Sequence, residues 1–145
     1  MNHYASAVGK LWILEADAGL LKLSWSPLAH AKLSPVTRLW LDRYFHTPYD
    51  LPPLPPLNPQ GTPFQKRVWE KLLTIPTGKT TTYGDLAQEL KSAPRAVGQA
   101  VARNPLPIFI PCHRVVGAGK NFGGFSGGEG IETKRALLTL EGWRE

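Results

Sequence analysis

Thr82-Tyr83-Gly84-Asp85-Leu86-Ala87-Gln88-Glu89-Leu90-Lys91-Ser92-Ala93-Pro94-Arg95-Ala96-Val97-Gly98-Gln99-Ala100-Val101-Ala102-Arg103 is the stretch on which the fold turns. Thr82 before Tyr83-Gly84-Asp85 is helix-start chemistry, and the helix it opens runs through Leu90. Ser92-Ala93-Pro94 caps the next, from about Arg95 to Arg103, and Asn104-Pro105 stops it because the residue before a proline is driven from the α region. Two short helices separated by Lys91-Ser92-Ala93-Pro94 read as a helix-turn-helix-like unit. Upstream, Thr62-Pro63-Phe64-Gln65 places a cap, a proline at the first helical position and Gln three residues on. Phe64, Val68 and Leu72 then follow at helical spacing, and Gly78 ends that element.

Further outward, Leu51 to Pro63 is so rich in proline that it excludes helix and ladder hydrogen bonding and reads as an extended, semi-rigid connector. Before it, two apolar runs between Gly9 and Ser26 flank Asp17-Ala18-Gly19, as in a β-hairpin. Ser34-Pro35 opens a short helix with Leu39, Trp40, Tyr44 and Phe45 on its apolar side. After the helix pair, Pro107 to Val116 is an apolar, β-branched run, Gly117 to Gly130 a glycine-rich loop, and Thr133 to Leu140 a last helix. The expected fold class is α/β (α+β). It comprises a small N-terminal hairpin and helix domain (1–50), a Pro-rich linker (51–61) and a mainly helical, winged helix-turn-helix-like domain (62–145).

The chain has 145 residues, enough for one domain or a small one joined to a modest one, and 42% apolar residues suffice for a core. No apolar run approaches the ~20 residues that span a bilayer. The N-terminus lacks a charged-then-apolar signal, so a cytoplasmic protein away from membranes is expected. One cysteine and four scattered histidines give no disulfide and no metal-site spacing, and no cofactor motif is present. The formal charge is +6, of which residues 61–145 carry +5. An excess confined to the second part suits a polyanion there.

The second helix of the pair is unusual for a reading helix. Val97 and Val101 form a core-facing stripe, while Ala96, Gln99, Ala100 and Arg103 share another face. Base reading in a major groove calls for long polar side chains, and this helix offers Ala and Gly98. A smooth face flanked by arginines suits close approach to a minor groove; small residues equally suit tight helix packing. Cys112 also admits two readings. It is either a small buried hydrophobe or, with Pro111 fixing the backbone and His113 beside it as a base, a nucleophile. Neighbours on a strand point oppositely, so the pair works only at a turn or through a bridging water.

The run Asn104-Pro105, Ile108-Phe109-Ile110-Pro111-Cys112-His113-Arg114-Val115-Val116 closely resembles the O6-alkylguanine-DNA alkyltransferases. The likeness extends through Thr81 to Ala87, Arg95 to Gly98, Gly124-Phe125-Ser126-Gly127-Gly128 and Leu137 to Gly142, covering nearly all of 62–143 in family order. The N-terminal part resembles the family only loosely. The resemblance implies repair of double-stranded DNA by direct reversal: irreversible, stoichiometric transfer of an alkyl group from O6-alkylguanine to Cys112, with O4-alkylthymine a further candidate. It implies His113 as base, Glu141 orienting it, and Asn104 holding the turn before the cysteine. Arg95 matches the finger that enters the stack and Tyr83 the tyrosine beside the rotated nucleotide. Ala96, Gly98, Ala100 and Arg103 would meet DNA, and Val101 would wall the pocket. Backbone groups around Val115 and Ser126, with Phe125 and Gly127, would meet the base. Phe125 stands where many members have tyrosine, and Ala102-Arg103 shifts a charge by one place. A monomer without cofactor or metal is expected. The alternatives are a non-catalytic alkylated-DNA lesion-binding protein, which would lack the cysteine, and a Cys-His hydrolase, for which no peptide cleft is marked.

Overall fold

The computed structural model describes residues 2–119 and 121–143. Three strands, β1 (His3–Ser6), β2 (Gly9–Ala16) and β3 (Gly19–Ser24), form an antiparallel sheet in the order β1-β2-β3. Asp17-Ala18 turns β2 into β3 as expected, and Leu14/Glu15 carries a register shift. β1 is an addition to the expected hairpin; four mostly polar residues are too short to show a period. Alternation sends Tyr4, Leu11, Ile13 and Leu23 inward.

α1 (Pro35–His46) begins at Ser34, whose hydroxyl accepts from Thr37 N–H. Its inner face is Thr37, Trp40, Leu41 and Tyr44, whereas Leu39, expected inside, is 51% exposed. The stripe therefore runs 37-40-41-44, and Leu39 lies outside its arc.

The Pro-rich connector corrects a second expectation, because it does make ladder hydrogen bonds. Leu20 N–H donates to Pro56 O and Asn58 N–H to Leu20 O, each at 2.8 Å, placing Leu57 parallel to β3. Proline lacks a donor but keeps an acceptor, and Asn58 supplies the missing N–H. Gly19 permits the approach, since a Cβ there would meet Pro56 O at 2.6 Å.

α2 (Pro63–Leu72) carries the expected capping box between Thr62 and Gln65. It buries Val68, Trp69 and Leu72 and stops at Leu72; Gly78 lies in the following turn. β4 (Thr81–Thr82) leads into α3 (Tyr83–Glu89), capped by the Thr82 hydroxyl, and α4 (Pro94–Ala102) follows. Ala93 occupies the α4 cap position with no side-chain bond, so the cap expected from Ser92-Ala93-Pro94 is not made. A 3-10 turn (Cys112–Arg114) runs into β5 (Val115–Val116), which pairs in parallel with β4. The apolar run before it is thus mostly turn rather than strand. α5 (Ile131–Leu140) starts two residues ahead of the expected Thr133.

A single apolar cluster runs from Tyr4 through Trp40 and Val68 to Leu137. Trp40 meets Phe109 at 4.9 Å between ring centroids, and Leu23 N–H donates to Pro105 O. The N-terminal layer is thereby packed directly against the segment that carries Cys112. Among the described residues no helix is long and apolar enough to cross a membrane.

Candidate active site

Cys112 opens the 3-10 turn, so it and His113 are not splayed as they would be on a strand. The turn before it is held by Asn104, whose Nδ2–H donates to Ile110 O at 2.8 Å while its Oδ1 accepts from Leu106 N–H at 2.9 Å. Within that turn Ile108 has φ of 77°, a conformation that a β-branched residue keeps only when its surroundings impose it.

Cys112 is 8% exposed and lines a cavity of about 710 Å³ with Tyr83, Val101, Asn104, Pro107 and Phe125. Burial pushes its thiol up to about 11, opposed by the Asn104 side chain and the Lys134 charge. The resting sulfur is therefore a protonated thiol, which would need a base to become a nucleophile.

His113, the next residue, is fully buried and carries an imidazole. Burial holds its imidazole below the ordinary value despite Glu141, keeping the ring neutral near pH 7. Glu141 is held down to about 2 by hydrogen bonds and charges from His113 and Arg114, which outweigh burial, so it is ionised. An ionised carboxylate only accepts; hence His113 Nε2 carries the proton and donates to Glu141 Oε2 at 2.6 Å. Nδ1 is then left with its lone pair, and it has no hydrogen-bond partner among the described residues. That is the arrangement of an oriented general base.

Three supporting residues escaped sequence reasoning. Arg114 grips Glu141 through Nε at 2.7 Å and Nη2 at 3.0 Å and donates to Ile75 O at 2.6 Å. Tyr44, from α1, donates its hydroxyl to Glu141 Oε2. Lys134, fully buried on α5, donates to Val115 O, Phe122 O and Gly124 O at 2.7, 2.9 and 3.3 Å. A signal for Lys134 did exist: positions 134, 137, 138 and 141 fall on one helical face, so a lysine and a glutamate bracket two core leucines.

Lys134 stitches the glycine-rich loop to β5 and places a cation where it favours the Cys112 thiolate. Burial lowers its own pKa to about 8. Lys134→Met is expected to slow iodoacetamide alkylation of Cys112 near neutral pH by on the order of tenfold, because the thiolate loses a cation. The gap should narrow above pH 8, where wild-type Lys134 sheds its proton. Equal alkylation rates across the pH range would remove this electrostatic role.

The remaining expected residues divide into three groups. Tyr83, Gly98, Val101, Phe125, Ser126 and Gly127 line the cavity with Cys112. Arg95 and Arg103 are exposed at the two ends of α4, with Ala96 half-buried between them. Ala100 differs from expectation, and Val115 is placed by its backbone. Ala100 is 3% exposed on the core face of α4, and its carbonyl accepts from Trp69 Nε1–H. A helix with Val97, Ala100 and Val101 inward cannot also present Ala100 outward. Val115 is fully buried, with its N–H on Cys112 O and its C=O on Lys134.

A helix pair followed by a buried thiol and an oriented imidazole is a frame on which a cysteine could serve as the nucleophile of a transferase. Residues 63–143 match the family model for the 6-O-methylguanine DNA methyltransferase, DNA binding domain. A methylated-DNA–protein-cysteine methyltransferase of Haemophilus influenzae is 37% identical, covering 97% of this chain and 84% of its own. One from Mycobacterium tuberculosis is 41% identical over 95% of this chain and 82% of its own. Among solved structures, Mycobacterium tuberculosis OGT in complex with DNA aligns with a TM-score of 0.83 at 38% identity, over 96% of this chain and 90% of that one. The chain belongs to the methylated-DNA–protein-cysteine methyltransferases, a family of DNA-repair enzymes.

Proposed function

We propose that Cys112 accepts the alkyl group from O6 of a guanine turned out of duplex DNA, one group per molecule. The observation that carries this reading is the oriented His113 Nδ1, backed by ionised Glu141 and adjacent in sequence to a buried thiol. The Cys112 proton passes to Nδ1 through a bridging water. The thiolate attacks the alkyl carbon; the S–C bond forms, the C–O6 bond breaks, and its electron pair stays on the guanine. That anion takes up a proton, for which Tyr83 in the same cavity is a donor, since burial raises its pKa and keeps it protonated.

Turning a base out costs a few kcal/mol of unstacking. Exposed Arg95, at the start of α4, fills the gap, and the small residues Ala96 and Gly98 let the helix settle into a minor groove. Arg103 contributes a phosphate contact. The protein acts as a monomer, each copy carrying its own Cys112, His113 and Glu141. The thioether on Cys112 is permanent, because its S–C bond, unlike a disulfide, is not cleaved by thiol exchange.

The test is intact-protein mass after incubation with duplex bearing O6-methylguanine. One added methylene per molecule, with no further turnover when lesion is in excess, is the expected result. Restored guanine with unchanged protein mass would overturn the reading.

A further inference from the structure

One wall of the cavity comes from outside residues 63–143. Trp25, immediately after β3, lines it together with Lys22 and Ser24. Its ring is held from several sides. Nε1–H donates to Val8 O at 3.0 Å, and the ring stands edge-on to Phe125, with centroids 6.0 Å apart and planes at 85°. Its six-membered ring lies so close to Gly127 that a Cβ there would collide with Cζ3. Gly128 is similarly tight, its Cβ position falling 3.0 Å from Trp25 Nε1. The ring is thus tied to a backbone acceptor on one side and packed on two glycines on the other.

Indole is neither a base nor a nucleophile at these positions, so Trp25 contributes volume and a fixed edge. It does so against Phe125 and Gly127, members of the loop read above as facing the base. A methyl group, itself the attacked carbon, needs little room beyond the sulfur. A benzyl group brings a flat ring that must lie in the same cavity while the S–C bond forms and the C–O6 bond breaks, the electron pair leaving with guanine.

We propose that Trp25 is a specificity-determining residue whose ring limits the size of the alkyl group that Cys112 accepts. The N-terminal sheet would then tune alkyl range although it supplies no reacting atom. The proposal rests on the reading of Cys112 as alkyl acceptor.

The experiment compares transfer rates, read by intact mass, from one duplex carrying either O6-methylguanine or O6-benzylguanine. Wild type, Trp25→Ala and Trp25→Phe are measured side by side. The benzyl-to-methyl ratio is expected to rise about tenfold in Trp25→Ala, within the range that a change in pocket volume yields. Trp25→Phe, which keeps a smaller ring and is the milder change for folding, should fall between. A ratio that stays at the wild-type value, even with both rates lowered, makes Trp25 only a prop for the loop and overturns the proposal. Absence of transfer from both lesions in wild type would overturn the acceptor reading itself, and this proposal with it.

Discussion

Cys112→Ser is expected to carry no alkyl adduct after any length of incubation with lesion-bearing DNA. The site already disfavours an anion, pushing even the thiol up to about 11. An alcohol starts several units higher and is a poorer nucleophile towards carbon, so His113 cannot activate it to a useful degree. The loss should exceed roughly a thousandfold and read as zero by mass, in keeping with removal of a covalent nucleophile. Serine is nearly isosteric, so the turn held by Asn104 should persist; the melting temperature checks this. The same variant separates the competing readings. A lesion-binding protein would work as well without the sulfur, and a hydrolase would have shown repeated turnover before the change. Adduct elsewhere in Cys112→Ser would move the acceptor to another residue.

Glu141→Gln should be nearly as damaging, for two separable reasons. First, Arg114 and Glu141 form a buried ion pair, and removing one partner leaves a buried charge uncompensated. Breaking such pairs costs about 3–5 kcal/mol, a large fraction of a small domain's stability. Second, a neutral amide no longer compels His113 Nε2 to hold the proton, so Nδ1 is no longer assured as the base. Alkyl transfer should therefore fall by on the order of a hundredfold or more, even at a temperature where the variant remains folded. The pH dependence of unfolding tests the first reason directly. Glu141 is held at about 2 in the fold against 4.5 ordinarily, so its stabilisation is complete above pH 4.5 and drains away as pH falls towards 2. His113, lowered from 6.5, adds a loss that begins as pH drops below that value. The variant should retain the His113 limb and lack the Glu141 limb. A stability profile in that acid range identical to wild type would show that Glu141 is not the linked group.

Much of this was legible beforehand because local chemistry and tertiary demand agree. The Thr62 capping box, the Ser34-Pro35 start and the Asn104-Pro105 stop each act within a few residues, and each lies where it was expected. The Cys112 motif could be read for the same reason: a cysteine, its base and its turn lie within ten residues. What escaped is long-range. Tyr44 reaches Glu141 across 97 positions, Trp25 meets a loop a hundred residues later, and Pro56 bonds to Leu20 from within a proline-rich run. Leu39 was misplaced because a half-apolar helix admits two arcs, and only the sheet beneath chooses between them. Ala100 was misplaced because a small residue fits a core and a groove equally well. Lys134 contradicts the rule that lysine stays in water, and three backbone carbonyls explain the exception.

The join between β3 and the Pro-rich segment matters beyond packing. The family match begins at residue 63, as though everything ahead of it were a detachable preface. Yet Leu20 is bonded on both sides by that segment, Tyr44 completes the carboxylate's shell, and Trp25 borders the cavity. A substitution in the first sixty residues can therefore reach the surroundings of a sulfur far along the chain without touching the motif around it.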